Sequence, residues 1–278
     1  LMFGHNSLVD SILHDGLWDP YNNTPMGTCG EVLCKENNFS RQDQDAYAIE
    51  SSARSNKAIA NGYFKDEISA VEIRSKNKIY MLDTDEEPLR FKKDKIASLR
   101  PAFGKDGTIT AANASSLSDG AAAVSLCSES KLNELGLNPI AKIIDHVSFA
   151  MEPLYFTRAP IYAIKKLLNK NNKSFNEIDL FEINEAFAAQ ALACIREWGL
   201  AKDDPRINPN GGGISLGHPL GVTGSRILLA AARQLQRTGG KYGLVTLCIG
   251  VGQGYAVVIK NTKAFCNAVY MSLNKMTI

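Results

Sequence analysis

A regular alternation of predicted strands and helices in the second half of this chain constrains its fold more than any other feature. Apolar runs such as 244–248 are typical of buried strands, whereas Ile161, Ile164 and Leu168 recur at the spacing of one helix face. The predicted order is strand 140–147, helix 160–168, strand 178–183, helix 185–198, helix 227–235, strand 244–248 and strand 256–259. Strands that alternate with helices are typical of an α/β protein whose helices cover the faces of a sheet.

The first part of the chain is organised differently, with many turn formers and shorter predicted elements. Ser40 and Asp43 have the spacing of a capping box, which predicts the start of a helix. Two short strands are predicted around 68–73 and 79–82. Residues 108–126 are then small and apolar, and they separate this irregular part from the layered part.

Composition excludes some classes of protein. The chain has 278 residues, 45% of them hydrophobic, which is enough to bury a sizeable core. Its formal net charge of +2 argues against non-specific nucleic-acid binding, because that requires a strong basic excess. The six cysteines show no CxxC spacing, so reduced thiols of an intracellular protein are expected and no zinc site. No apolar run reaches the roughly 18 residues of a membrane span, so no membrane partner is expected.

Three short segments carry residue types that catalysis uses, and each also has an ordinary structural explanation. In residues 184–187 (Asn-Glu-Ala-Phe) the asparagine can be a helix N-cap. The glycine-rich residues 210–219, which include His218, can be a turn before a helix, although they lack the Lys-Ser/Thr of a nucleotide loop. In residues 248–254, Cys248 can be an inert thiol beside a tight hairpin. Taken singly, none of the three assigns a function.

Together and in this order, the three segments resemble the Asn-Glu-Ala-Phe, Gly-His-Pro and Cys-x-Gly-x-Gly motifs of the thiolase family. The resemblance extends from about residue 8 to residue 260, with further matches at 10–17, 40–45 and 108–120. It is strongest to the biosynthetic branch, which condenses two acetyl-CoA molecules to acetoacetyl-CoA and CoA in a reversible reaction. Such a chain would be an acyltransferase of lipid metabolism that acts on coenzyme A thioesters and holds no other cofactor. Degradative 3-ketoacyl-CoA thiolases share these motifs and are the alternative within enzymes.

The resemblance implies a catalytic role for four residues. His218 would be the base that activates a nucleophilic cysteine, since a free thiol has a pKa of about 8.5. Cys248 would remove and return the α-proton of the second acetyl-CoA. Asn184, through a water, and His218 would form one oxyanion hole, and the backbone N–H of Gly250 would contribute to a second.

Six further positions match family residues that contact the substrate. They are Arg90 and Lys95 at the nucleotide part of CoA, Phe103 and Ser115 along the pantetheine arm, and Met26 and Phe187 at the acyl pocket. For Arg90 and Lys95, a solvated charged loop explains either residue about as well when it is taken singly.

The resemblance also implies a thiolase-like layered α/β/α fold with a loop domain, whose N-terminal domain is mostly missing from this sequence. The predicted parts are a CoA-binding loop domain at 1–117, a remnant of the N-terminal domain at 118–138, the C-terminal domain at 139–263 and a tail at 264–278. Because the family's nucleophilic cysteine lies in that N-terminal domain, the chain is expected to be inactive alone. Cys29 and Cys34 do not stand in the nucleophile motif, and both are expected to be structural.

Three departures from the family pattern bear on function. Pro25 stands where many members have a histidine that contacts CoA, and Val251 replaces a common glycine. Ser52 stands where potassium-dependent members have a tyrosine ligand, so no potassium or other metal site is predicted. The family's habit predicts a homodimer or homotetramer, in the cytoplasm or alternatively the mitochondrion. Outside enzymes, the alternative is a non-catalytic module that binds CoA or lipid.

Overall fold

The computed structural model describes residues 7–75 and 78–262, and the predicted tail at 264–278 lies outside them. The helices are α1 Met26–Asn37, α2 Arg41–Ala60, α3 Glu87–Arg90, α4 Glu129–Leu135, α5 Ala159–Lys170, α6 Ala188–Glu197, α7 Gly213–Leu216 and α8 Thr223–Thr238. The strands are β1 Trp18–Asp19, β2 Thr24–Pro25, β3 Val71–Ser75, β4 Lys78–Leu82, β5 Ala141–Ala150, β6 Leu180–Ile183, β7 Tyr242–Ile249 and β8 Gln253–Asn261. Short π- and 3₁₀-helical turns occupy Ile12–Gly16, Lys93–Ser98, Pro153–Arg158 and Phe175–Glu177. Among the helices of this described part, none is long and apolar enough to cross a membrane.

A four-stranded sheet in the order β5–β8–β7–β6 forms the centre of the second half. β8 is antiparallel to both β5 and β7, whereas β6 lies parallel to β7. Leu244 packs in the core cluster that contains Ile164 of α5, and the next residue, Val245, packs in the cluster that contains Ile227 of α8. Because successive strand residues point to opposite faces of a sheet, helices cover both faces. The predicted α/β layering is confirmed.

The first part of the chain contains the helix predicted at Ser40 and the predicted pair of strands, whereas helix α1 was not predicted. α2 begins at the capping box, where Ser40 Oγ accepts the Asp43 N–H and the Asp43 carboxylate accepts the Ser40 N–H, both at 3.1 Å. β3 and β4 form an antiparallel hairpin. Residues 118–138, predicted to be a remnant of another domain, contain α4 and no strand, and their side chains Leu126 and Leu135 are exposed. This segment has no sheet to join in the described part of the chain.

The helix predicted from residue 185 begins three residues later. α6 starts at Ala188 with Phe187 as its N-cap, and residues 184–187 are not helical. Phe187 instead pairs with Ala114 in an isolated antiparallel bridge. Asn184 is therefore not the N-cap of this helix, and its ordinary structural explanation is wrong.

Candidate active site

The end of β6 places Asn184 in the protein interior. Asn184 directly follows β6, and its backbone N–H donates to the carbonyl of Thr246 on β7 at 2.9 Å. Two residues later, the carbonyl of Ala186 accepts the N–H of Ser115 at 3.0 Å. Asn184 is fully buried, so a side chain at this position is fixed by its surroundings.

His218 lies beside Asn184, at the turn that leads into α8. Its Nε2 is 3.3 Å from Asn184 Nδ2, and its Nδ1 is 2.6 Å from Thr223 Oγ1. The turn requires glycine directly before the histidine. Gly217 has a φ of +90°, and a Cβ there would lie 2.2 Å from Ser118 Oγ.

Hydrogen-bond directions assign the proton on the His218 ring. Thr223 Oγ1 donates its single proton to the Pro219 carbonyl at 3.1 Å, so it accepts from His218 Nδ1, which carries the ring proton. Nε2 is then unprotonated and accepts from the Asn184 amide. A neutral ring with a lone pair on Nε2 is the state that a general base requires.

Burial keeps this ring neutral. The pKa of His218 is lowered to about 4, first by desolvation and second by the positive charge of Arg226. Since an unfolded histidine has a pKa of about 6.5, the unfolded state binds more protons than the folded state between pH 4 and pH 6.5. The free energy of unfolding therefore rises with pH across this window as far as His218 contributes to it. That contribution is complete above pH 6.5 and is lost as the pH falls towards 4.

Nuclear magnetic resonance of the histidine rings tests both the pKa and the tautomer. We expect the His218 ring to stay neutral from pH 8 down to about pH 5, with the ¹⁵N shifts of the Nδ1–H tautomer. Thr223→Val keeps the branched shape but removes the acceptor, so it is expected to move the ring towards the Nε2–H tautomer. The resonance that is lost in His218→Asn is assigned to the His218 ring. A ring that titrates near pH 6.5 would contradict the burial described here.

Cys248 lies near the end of β7, opposite Gly254 of β8, and is 8% exposed. Burial raises the pKa of its thiol to about 12, so the group is protonated at neutral pH. In this state Cys248 can donate a proton, and it becomes a base only after that proton has left.

Gly250 lies in the turn of residues 250–252 that joins β7 to β8. A Cβ at this position would lie 2.5 Å from Met26 Cε, so the Met26 side chain rests directly on the glycine. The next residue, Val251, has a φ of +64°, a left-handed conformation that β-branched residues rarely adopt. This is the position where Val251 replaces a glycine that is common in the family motif.

The two residues predicted for the acyl pocket, Met26 and Phe187, lie in or against the core cluster that contains Cys248. Phe187 belongs to this cluster, and Met26 and Phe103 pack against it. The rings of Phe103 and Phe187 meet edge to face, with centroids 6.3 Å apart and an interplanar angle of 87°. A Cβ at Gly27 would lie 2.2 Å from the Phe103 ring, so this face of α1 admits glycine only.

Arg90 and Lys95 lie at the surface. Arg90 ends α3, is 62% exposed and pairs with Glu86 at 2.8 Å, while Lys95 is an exposed residue of a 3₁₀-helical turn. Within residues 7–75 and 78–262, no hydrogen bond or ion pair joins either side chain to the buried site. α3 does pack against α7, which directly precedes the His218 turn. The CoA contacts of Arg90 and Lys95, and of the half-buried Ser115, stay predictions.

The other cysteines of the described residues have no hydrogen bond to the His218 ring. Those in the described residues are Cys29, Cys34, Cys127 and Cys194. Cys29 Sγ lies 3.8 Å from Asp19 Oδ2, and desolvation is the main cause that raises the pKa values of Cys29 and Cys34 to about 11. None of these four thiols hydrogen-bonds His218 in the described part, which also contains no group of three or more His, Cys, Asp or Glu that could hold a metal. Cys266 lies outside the described residues.

Two residues of the site were missed by the sequence reasoning. Thr223 orients the His218 ring. In the sequence, the only indication of this role is that Thr223 follows His218 by five residues, at the start of α8. Glu185 receives hydrogen bonds from several elements around the site, and its signal was its place inside the Asn-Glu-Ala-Phe segment.

Comparison with known proteins identifies the family. The model of the thiolase N-terminal domain matches residues 1–130, and the model of the thiolase C-terminal domain matches residues 137–261. This chain belongs to the thiolase family.

Individual relatives agree with the family models. The chain is 44% identical over 264 residues to an acetyl-CoA acetyltransferase of Yarrowia lipolytica. The aligned region covers 95% of this chain and 66% of that protein. It is 45% identical over 237 residues to a β-ketoadipyl-CoA thiolase of Acinetobacter baylyi. Here the aligned region covers 84% of this chain and 59% of that protein. A thiolase from Ascaris suum, solved in complex with coenzyme A, superimposes with a TM-score of 0.86 at 40% identity, covering 94% of this chain and 66% of that one. The chain thus spans at most about two thirds of the length of these relatives.

Proposed function

We propose that this chain supplies the His218 and Cys248 part of an acetyl-CoA acetyltransferase site, which condenses two acetyl-CoA to acetoacetyl-CoA and CoA and also runs in reverse. The observation that carries the proposal is the neutral His218 ring, which Asn184 contacts at the unprotonated Nε2 and Thr223 contacts at Nδ1. Coenzyme A thioesters are the proposed substrates, with no bound cofactor. The dimeric or tetrameric state and the cytoplasmic location stay predictions.

In the thiolysis direction, each proton has a donor and an acceptor. His218 Nε2 takes the proton of a nucleophilic thiol, and the thiolate attacks the ketone carbon of acetoacetyl-CoA. The bond between C2 and C3 then breaks, and the thiol of Cys248 protonates the departing carbon to give the first acetyl-CoA. CoA next gives its thiol proton to the Cys248 thiolate and attacks the acetyl group. The nucleophile leaves and takes its proton back from the His218 ring.

The nucleophilic thiol is proposed to come from residues outside this sequence. The thiol of Cys29 points to Asp19, and Cys34 of α1 is buried in the core cluster. Within the described residues, neither thiol hydrogen-bonds His218. The pKa of each thiol is raised to about 11, which is opposite to the shift that an activated nucleophile needs. We therefore propose that the chain alone does not form an acetyl-enzyme.

A short acyl group fits this site best. Met26 rests on Gly250, and Phe187 lies in the same buried cluster as Cys248, where the Phe103 ring packs against it. The 45% identity to the β-ketoadipyl-CoA thiolase of Acinetobacter baylyi favours a longer 3-ketoacyl substrate as the second candidate. Chain length of the preferred substrate separates the two.

Thiolysis of acetoacetyl-CoA tests the proposal, with this 278-residue chain beside a longer form that includes coding sequence upstream of Leu1. We expect turnover by the longer form only, and a preference for acetoacetyl-CoA over 3-ketohexanoyl-CoA. Turnover by the short chain would overturn the proposal for the nucleophile. If no form turns over but CoA binds tightly, the chain is a non-catalytic CoA-binding module instead.

A further inference from the structure

Glu185 is a buried carboxylate that receives four hydrogen bonds. It is 1% exposed. Oε1 accepts from the Tyr47 hydroxyl at 3.0 Å and from Asn208 Nδ2 at 2.8 Å. Oε2 accepts from the Ser51 hydroxyl at 2.7 Å and from the backbone N–H of Ile214 at 3.2 Å. These four bonds fix the position of the carboxyl group in the protein interior.

The four donors come from three separate parts of the chain. Tyr47 and Ser51 lie on α2, Asn208 precedes the glycine-rich turn, and Ile214 lies on α7, four residues before His218. Glu185 itself directly follows Asn184 in sequence. Its side chain therefore ties the end of β6 to α2 on one side and to the segment that carries His218 on the other.

We propose that Glu185 is a positioning residue that fixes Asn184 and His218 relative to each other. The proposal rests on the proposed function, since the pair matters for acyl transfer only if His218 is the base. Through the four hydrogen bonds, Glu185 maintains the 3.3 Å contact between Asn184 Nδ2 and His218 Nε2. Loosening this anchor moves the Asn184 amide away from Nε2 without removing either catalytic side chain.

The site requires a carboxylate, because an amide of the same shape cannot satisfy it. The N–H of Ile214 is a backbone donor and cannot turn away. The Asn208 amide is also fixed, because its Oδ1 accepts the Ile183 N–H at 2.7 Å. In Glu185→Gln the new NH₂ group faces one of these two donors in either orientation. It has no room to swing aside, since a Cβ on Gly212 would lie 2.4 Å from the Glu185 carboxyl carbon.

Glu185→Gln tests the proposal in the form of the protein that turns over acetoacetyl-CoA. We expect kcat to fall about a hundredfold with KM changed less than twofold, because a small misplacement of reacting groups costs rate rather than binding. The matched control is Glu182→Gln on β6. Glu182 is also buried, and desolvation raises its pKa to about 8. Its side chain is therefore protonated at neutral pH, so that glutamine matches it in charge and shape. We expect this control to keep kcat within threefold.

The ¹⁵N shifts of the His218 ring give a second readout that needs no turnover. Glu185→Gln is expected to replace the single Nδ1–H tautomer by a mixture, whereas Glu182→Gln leaves it unchanged. If Glu185→Gln proves unstable, Tyr47→Phe and Ser51→Ala each remove one donor and are expected to give smaller losses of kcat in the same direction. Unchanged kcat and tautomer in Glu185→Gln, or equal losses in Glu182→Gln, would overturn the proposal. If no form of the wild type turns over, the proposed function fails, and the tautomer alone decides whether Glu185 positions His218.

Discussion

His218→Ala is expected to lower thiolysis of acetoacetyl-CoA by about a thousandfold or more in the form of the protein that catalyses it. A positioned general base contributes roughly a hundredfold to ten-thousandfold to a rate, and the same ring returns the proton when the nucleophile leaves. The loss is expected in kcat, because no surface residue predicted to contact CoA hydrogen-bonds His218 in the described residues. Initial rates over a range of acetoacetyl-CoA concentrations measure both constants.

His146→Ala is the control for this variant. His146 is exposed on β5 and hydrogen-bonds Tyr255 at 2.7 Å, so its removal changes a surface pair and leaves the buried site intact. Activity within twofold of wild type is expected for this control. A His218→Ala protein that keeps a tenth of the wild-type rate would show that another group is the base.

Much of the fold could be predicted, because its signals are local. The capping box at Ser40 marks the start of α2, and the apolar spacing from Ile161 to Leu168 marks the face of α5 that reaches the core. The inner strand β7 and its neighbour β6 are mainly apolar and are buried on both faces, so they stand out in sequence. The start of α6 could not be predicted, because the pairing of Phe187 with Ala114 competes with the helix and lies 73 residues away.

The catalytic candidates could be picked out only as motifs. Nothing local in the sequence shows that Asn184 and His218 meet at 3.3 Å, because they come from the end of a strand and from a turn 34 residues later. The tautomer of His218 was also beyond sequence reasoning, since it depends on the Thr223 hydroxyl already being committed to the Pro219 carbonyl. Hydrogen bonds between distant segments are set by packing, which a single sequence does not display.

The same reason explains why Glu185 was passed over. In sequence it is one letter of a motif and a common residue at the start of a helix. In the structure it accepts donors that lie 138, 134, 23 and 29 residues away along the chain. A residue with this many long-range partners is recognised from the fold and not from its neighbours.

Cys248→Ala is expected to separate the two halves of the reaction. Protonation of the departing carbon needs the Cys248 thiol, so thiolysis of acetoacetyl-CoA is expected to fall about a thousandfold. Transfer of an acetyl group from acetyl-CoA to the nucleophile and back needs His218 and moves no α-proton. Cys248 handles only the CoA thiol proton in this half, and a thiol with a pKa of about 8.5 can exchange that proton with water when Cys248 is absent. Exchange of labelled CoA into acetyl-CoA is therefore expected to stay within about tenfold of wild type in Cys248→Ala, and to be lost in His218→Ala.

The thiol itself can be examined in the 278-residue chain. Because burial raises the pKa of Cys248 to about 12, only about one thiol in ten thousand is ionised at pH 8. Alkylation of Cys248 by iodoacetamide is expected to be slow at pH 8 and to rise about tenfold for each pH unit while the protein stays folded. The exposed Cys127 is the internal standard, resolved by mass spectrometry of the digested protein. Fast alkylation of Cys248 at pH 7 would mean that the thiol is ionised before substrate binds. Cys248 would then act as a base from the start, and it could not protonate the departing carbon in the first half of thiolysis.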